Sequence, residues 1–212
     1  MTMRITLPAL VAVALLGGCA VSREQAHDTL AAATPCCSSL QSLPYQPLRP
    51  GEKVVFDVDE RSPSFVFPSG KSYFKAFALP ENGAPGRIEL RSYAQGDRID
   101  RAHVFYPGLL MLDRDFRVVA EVVPALASAR GTNKAAMEEN SWGMPARLQG
   151  GVQIEPAYRY MIVRTTASLL AKHSSYLEPA RGIGAAIGTV PQGQFAIAHS
   201  PVGRIVVERP VR

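Results

Sequence analysis

The residues of this chain with chemistry to offer are its cysteines, two pairs of alternating carboxylates, its histidines and a single tryptophan. Asp57/Asp59 and Asp113/Asp115 would each share one face of an extended strand. That arrangement could serve a glycosidase acid/base pair or Ca²⁺. Neither pair sits in a full calcium-loop pattern, and Asp113-Arg114-Asp115 reads more simply as a turn. His27, His103, His173 and His199 are far apart and show no HxH, HExxH or Cys-His spacing, so no metal site is expected. Gly70-Lys71-Ser72 matches the end of a phosphate-binding loop, but Phe65 stands where the first glycine is required. Gly182 to Gly188 has GxGxxxG spacing with no βαβ unit around it, and reads as a surface loop. No G-x-S-x-G is present either. No catalytic residue is therefore assigned, and the chain is read as a non-enzyme without a cofactor. Trp142, with Asn140 beside it in Asn140-Ser141-Trp142-Gly143-Met144-Pro145, is the candidate sugar contact. A lone tryptophan also serves simply as a plug over a sandwich edge.

Cys19 carries the clearest signal. Arg4 precedes an apolar run from Ile5 to Leu16, and Leu16-Gly17-Gly18 leads into the cysteine. A basic start, an apolar stretch and small residues at the cleavage point make a secretory signal. The run is too short to span a hydrocarbon core of about 30 Å. Leu-Gly-Gly-Cys resembles the bacterial lipobox, in which the thiol is acylated and becomes the new N-terminus. Covalent lipid on Cys19 would attach the protein to a membrane, and Ala20 in place of Asp points to the outer one. Three acyl chains hold firmly, since two lipid signals already suffice. Cys36 and Cys37 then remain as an adjacent pair in an oxidising compartment. Their alternatives are a vicinal disulfide, strained because neighbouring Cα atoms lie only about 3.8 Å apart, a bond to another molecule, or free thiols. The Cys-x-x-Cys spacing of redox enzymes is absent.

Composition narrows the class further. The chain has 212 residues, 19% charged, with mean hydropathy near zero, which describes a globular body. Its net charge of +5 comes from scattered residues such as Arg87, Arg91, Arg98 and Arg101. Without a basic run or a nucleic-acid signature, nucleic acid is not an expected partner.

These residues need elements to position them. After the signal peptide (1–18), residues 19–50 read as a lipidated tether. Prolines 35, 44, 47 and 50 favour an extended path, with a short helix at most over Ala20 to Ala33. From Gly51 the pattern changes to period two. Arg87-Ile88-Glu89-Leu90-Arg91 alternates charged and apolar residues, predicting a strand with one wet face. Leu148 to Glu155 alternates too, with a bulge expected at Gly150-Gly151. Segments 53–59, 73–79, 102–106, 116–123, 158–165 and 203–208 are rich in β-formers. About eight strands separated by turns predict a single antiparallel β-sandwich over 51–212. One or two short helices, at 133–140 and 166–172, interrupt it.

Several segments, in order, resemble the maltose operon periplasmic protein (MalM) family. They are Cys36-Cys37-Ser38-Ser39-Leu40, Leu43 to Leu48 (LPYQPL), Lys75 to Pro80 (KAFALP) and Val104 to Asp113 (VFYPGLLMLD). Further on come Tyr160 to Thr166 (YMIVRTT), Leu177 to Arg181 (LEPAR) and His199 to Gly203 (HSPVG). The resemblance implies a periplasmic lipoprotein, accessory to maltose and maltodextrin uptake, with an outer-membrane porin or maltodextrin as partner. The alternative it leaves is a structural envelope lipoprotein that stabilises a porin or other complex without touching sugar. It supplies no catalytic residues.

Overall fold

A computed structural model describes residues 22–80, 86–130, 138–139, 146–178 and 193–211. Fourteen strands lie among them: Tyr45–Pro47 (β1), Lys53–Val58 (β2), Ser64–Phe67 (β3), Gly70–Ala78 (β4), Gly86–Tyr93 (β5), His103–Val104 (β6) and Gly108–Leu112 (β7). They continue with Val118–Val122 (β8), Ala127–Arg130 (β9), Ala146–Ile154 (β10), Tyr160–Arg164 (β11), His173–Glu178 (β12), Gly193–His199 (β13) and Gly203–Glu208 (β14). Helix α1 spans Arg23–Ala32 and a single turn, α2, spans Ala167–Leu170.

Two large sheets form the β-sandwich. One has the order β1-β4-β11-β7-β8, with β3 hairpinned onto β4; the other runs β2-β14-β5-β10-β9. A smaller sheet, β12-β13-β6, flanks them. Pairing is chiefly antiparallel, with parallel contacts between β1 and β4 and between β13 and β6. The main core lies between the two large sheets. Tyr73, Phe77, Leu109, Met111, Met161 and Val163 from the first meet Ile88, Leu90, Val152, Ile154, Ile205 and Val207 from the second. Because strand side chains alternate, Phe74, Ala76, Leu110, Leu112 and Ile162 point to the other face of the first sheet. There they form a second apolar cluster with Leu43 and Phe67.

That second cluster corrects the expected tether over 19–50. From Arg23 onward the segment belongs to the body. Leu30 enters the main core, Leu43 seals the second cluster, and β1 adds a strand to the sheet. Prolines 44 and 47 do not prevent this, because β1 lies at a sheet edge where only one side must pair. Helix α1 has a capping box: Ser22 Oγ accepts from Gln25 N, and Gln25 Oε1 accepts from Ser22 N. The short helix expected at 166–172 is present as α2, with Thr166 as its cap: Thr166 Oγ1 accepts from Leu169 N.

The bulge expected at Gly150-Gly151 is absent, and β10 pairs with β5 in continuous register through both glycines. Close approach explains them instead, since a Cβ on Gly150 would lie 2.3 Å from the Ala125 carbonyl oxygen. Among the described residues a register shift of that kind falls between Met111 and Leu112, where β7 meets β8.

Candidate functional site

The two carboxylate pairs are not chemical pairs in the folded chain. Asp57 accepts from Arg204 Nη2 and Nε, at 2.6 and 2.8 Å. Asp59, past the end of β2, pairs with Arg61. Burial opposes ionisation of Asp59, but the hydrogen bonds from Arg61 prevail and hold its carboxyl below the usual range. Asp113 Oδ1 accepts from the backbone N–H groups of Asp115 and Arg117, closing the β7–β8 turn. Gly70-Lys71-Ser72 opens β4 in a hairpin with β3.

His199 is buried and serves as a cross-tie. Its Nδ1 donates to Leu169 O at 2.8 Å, its Nε2 accepts from Ser174 Oγ at 2.8 Å, and its ring stacks on Tyr106. A serine beside a histidine resembles part of a hydrolytic triad, but the third position is a main-chain carbonyl that anchors the ring between α2 and β12. No group of three or more His, Cys, Asp or Glu among the described residues could hold a metal ion. Cys36 and Cys37 are joined as a disulfide with Cα atoms 3.7 Å apart. Cys36 N donates to Ser64 O, so the pair is stitched to β3. Cys19, Asn140, Trp142 and the loop from Gly182 to Gly188 lie outside the described residues.

What the structure does bring together is a groove beside α1. Three open clefts of about 250, 220 and 410 Å³ share walls in sequence. Asp59 and Val202 border the first and second, while Gly96 and His103 border the second and third. Ala26 and Thr29 of α1 face the Asp59–Arg61 turn and Tyr73 at one end. Arg23, Asp97, Asp100 and Arg101 gather at the other. The groove lies where β2 and β5 end and where β14 begins, so strand termini and turns supply its polar groups. Burial and the nearby Arg23 guanidinium push the His103 imidazole below its ordinary value, leaving a neutral ring in the wall. Carboxylates, guanidinium groups, the Gln95 amide and a neutral imidazole on a partly apolar floor can hydrogen-bond a polyhydroxylated ligand.

Two buried charge clusters escaped sequence reasoning. Glu139 is 7% exposed and accepts from Lys53, from Arg91 through both Nε and Nη2, and from the Tyr93 hydroxyl. Arg91, expected on a wet face, is thus largely covered by Glu139 and Glu208. Burial works against the Glu139 carboxylate, but Tyr93 and Arg91 hold its pKa below the usual range. Arg164 is 1% exposed, paired with Glu121 at 2.9 Å and bonded to Ser69 Oγ, its guanidinium over the Phe67 ring. The available signal was Arg164 following the apolar run Met161-Ile162-Val163, an arginine where a core residue is due.

Comparison with known families gives one match. A family model described as "Maltose operon periplasmic protein precursor (MalM)" aligns with residues 69–208. Neither a curated protein nor a solved structure matches the chain.

Proposed function

The chain belongs to the maltose operon periplasmic protein (MalM) family, and from that premise we propose that it is an outer-membrane-anchored lipoprotein. In this reading it carries lipid on Cys19 and acts as a non-catalytic accessory to maltose and maltodextrin transport. The groove beside α1 is the supporting observation. Its first two clefts, those away from Ser22, involve several strand ends, and their hydrogen-bonding groups fit sugar hydroxyls. Three carboxylates that line the groove are engaged by arginines, Asp57 by Arg204, Asp59 by Arg61 and Asp100 by Arg98, which suits those three to binding rather than proton transfer.

Calorimetric titration of the non-acylated Cys19→Ala form with maltodextrin tests this. Saturable heat at millimolar ligand, weakened severalfold by Gln95→Ala, is the expected result. A flat titration would overturn sugar binding and favour the structural alternative. That alternative has its own support: among the described residues β8 is the last strand of its sheet, and it exposes Val118 and Val119, with Val123 beyond its end. An unpaired apolar edge can accept a strand or loop of a partner such as a porin. Recovery of a channel with the lipidated protein from envelopes, lost on Val119→Lys, would distinguish it.

A further inference from the structure

We propose that the end of the sandwich around the start of α1 rests on phospholipid headgroups, with the residues near Ser22 as its footprint. The inference depends on acylation of Cys19, proposed above, and adds an orientation to it. Helix α1 is fixed to the body from its first residue. Arg23 Nε donates to His199 O at 3.0 Å and its Nη2 to Leu170 O at 3.2 Å, while Ala26 and Leu30 are buried. Only Ala20 and Val21 separate Ser22 from Cys19, a span of three Cα–Cα steps. Even fully extended they reach only about 11 Å, little more than one headgroup layer of a bilayer. A spacer of thirty-odd residues would have let the body stand anywhere within about 100 Å. The short reach leaves it against the surface.

The topology says which end that is. Arg23 is bonded beside α2, which follows β11 at the end where Arg164 pairs with Gly108. The Asp113–Arg117 turn closes β7 at its opposite end, roughly 16 Å away along five residues of strand. The footprint carries exposed charges of both signs: Arg98, Arg101 and Lys172, with Glu24, Asp97 and Asp100. Among the described residues, none of the large exposed apolar side chains (Val55, Val66, Val118, Val119, Val123, Leu177 and Val211) lies in these segments. Mixed charge without apolar anchors suits lying on zwitterionic headgroups, and the body does not insert.

Energy transfer to a lipid-borne acceptor tests the orientation. A donor dye is placed on Asp97→Cys or on Arg114→Cys, in the lipidated protein bound to phosphatidylethanolamine and phosphatidylglycerol vesicles. Transfer from position 97 should exceed that from position 114 by about twofold or more, given the length of strand between the two ends. A flexible ten-residue Gly/Ser insertion between Ala20 and Val21 should collapse the difference. Equal transfer from both positions, with acylation confirmed by mass, would overturn the orientation while leaving the anchor standing. Absence of the acyl mass would overturn the anchor itself, and the orientation with it.

Discussion

Glu139 shows how one side chain organises a sheet face. Its carboxylate draws together Lys53 from β2, with Arg91 and Tyr93 from β5. Each is a charge or hydroxyl that burial would penalise if it stood alone. Arg164 does comparable work on the other large sheet, where Glu121, Ser69 and the Phe67 ring surround its guanidinium. Breaking such a buried pair from one side is costly because the remaining charge stays desolvated. Glu139→Gln is therefore expected to lower the unfolding free energy by about 2–4 kcal/mol, read from urea melts. A loss under about 0.5 kcal/mol, the size of a typical surface substitution, would mean that the carboxylate is not held in this network.

Among the elements, those with a two-residue alternation (β5 and β10) or a density of Val, Ile, Phe and Tyr were legible in the sequence. Strands β2, β4, β5, β6, β8, β10, β11 and β14 fall close to the segments read from it. The missed ones break the pattern for physical reasons. Strand β7, Gly108-Leu109-Leu110-Met111-Leu112, is buried along its whole length because both faces of its sheet are covered, so it shows no alternation. β1 contains a proline, and β12 and β13 mix short polar and apolar residues on a small peripheral sheet. Nor was the groove legible, since it is made where turns distant in sequence converge. The sharpest misreading was the tether: the short helix read over Ala20 to Ala33 is present as α1, but its polar, alanine-rich sequence conceals two buried contacts, Ala26 and Leu30. Leu30→Ala should destabilise the non-acylated protein by about 2–3 kcal/mol in chemical denaturation, as for a core leucine. In a tether the same change would cost nothing measurable.

At the scale of the whole molecule, the docking of α1 onto the body takes place beside several histidines. His27, His103 and His199 are each pushed below the ordinary imidazole value, first by burial, with the Arg23 guanidinium adding to it in all three. Glu24 works in the opposite direction at His27 and His103, as does Asp28 at His27. The Leu169 carbonyl does so at His199, where His173 and Lys172 side with Arg23. Because these groups bind protons more weakly folded than unfolded, the unfolded chain takes up more protons as pH falls through about 6.5. Stability should thus be level above neutrality and decline as pH drops below about 6.5 toward the lowered folded values. Asp59, Asp100 and Glu139, all held below the usual carboxylate range, add their own loss only at lower pH, once their protonation begins. Calorimetric melts should give a lower Tm at pH 5.5 than at pH 7.5, and His199→Gln should flatten that dependence. Hydrogen exchange should show α1 losing protection before the strands of the main core, because protonating imidazoles beside Arg23 weakens the contacts that fix the helix. A Tm independent of pH over that interval would mean that these rings titrate as they do in water and that α1 is held by its buried Ala26 and Leu30 alone.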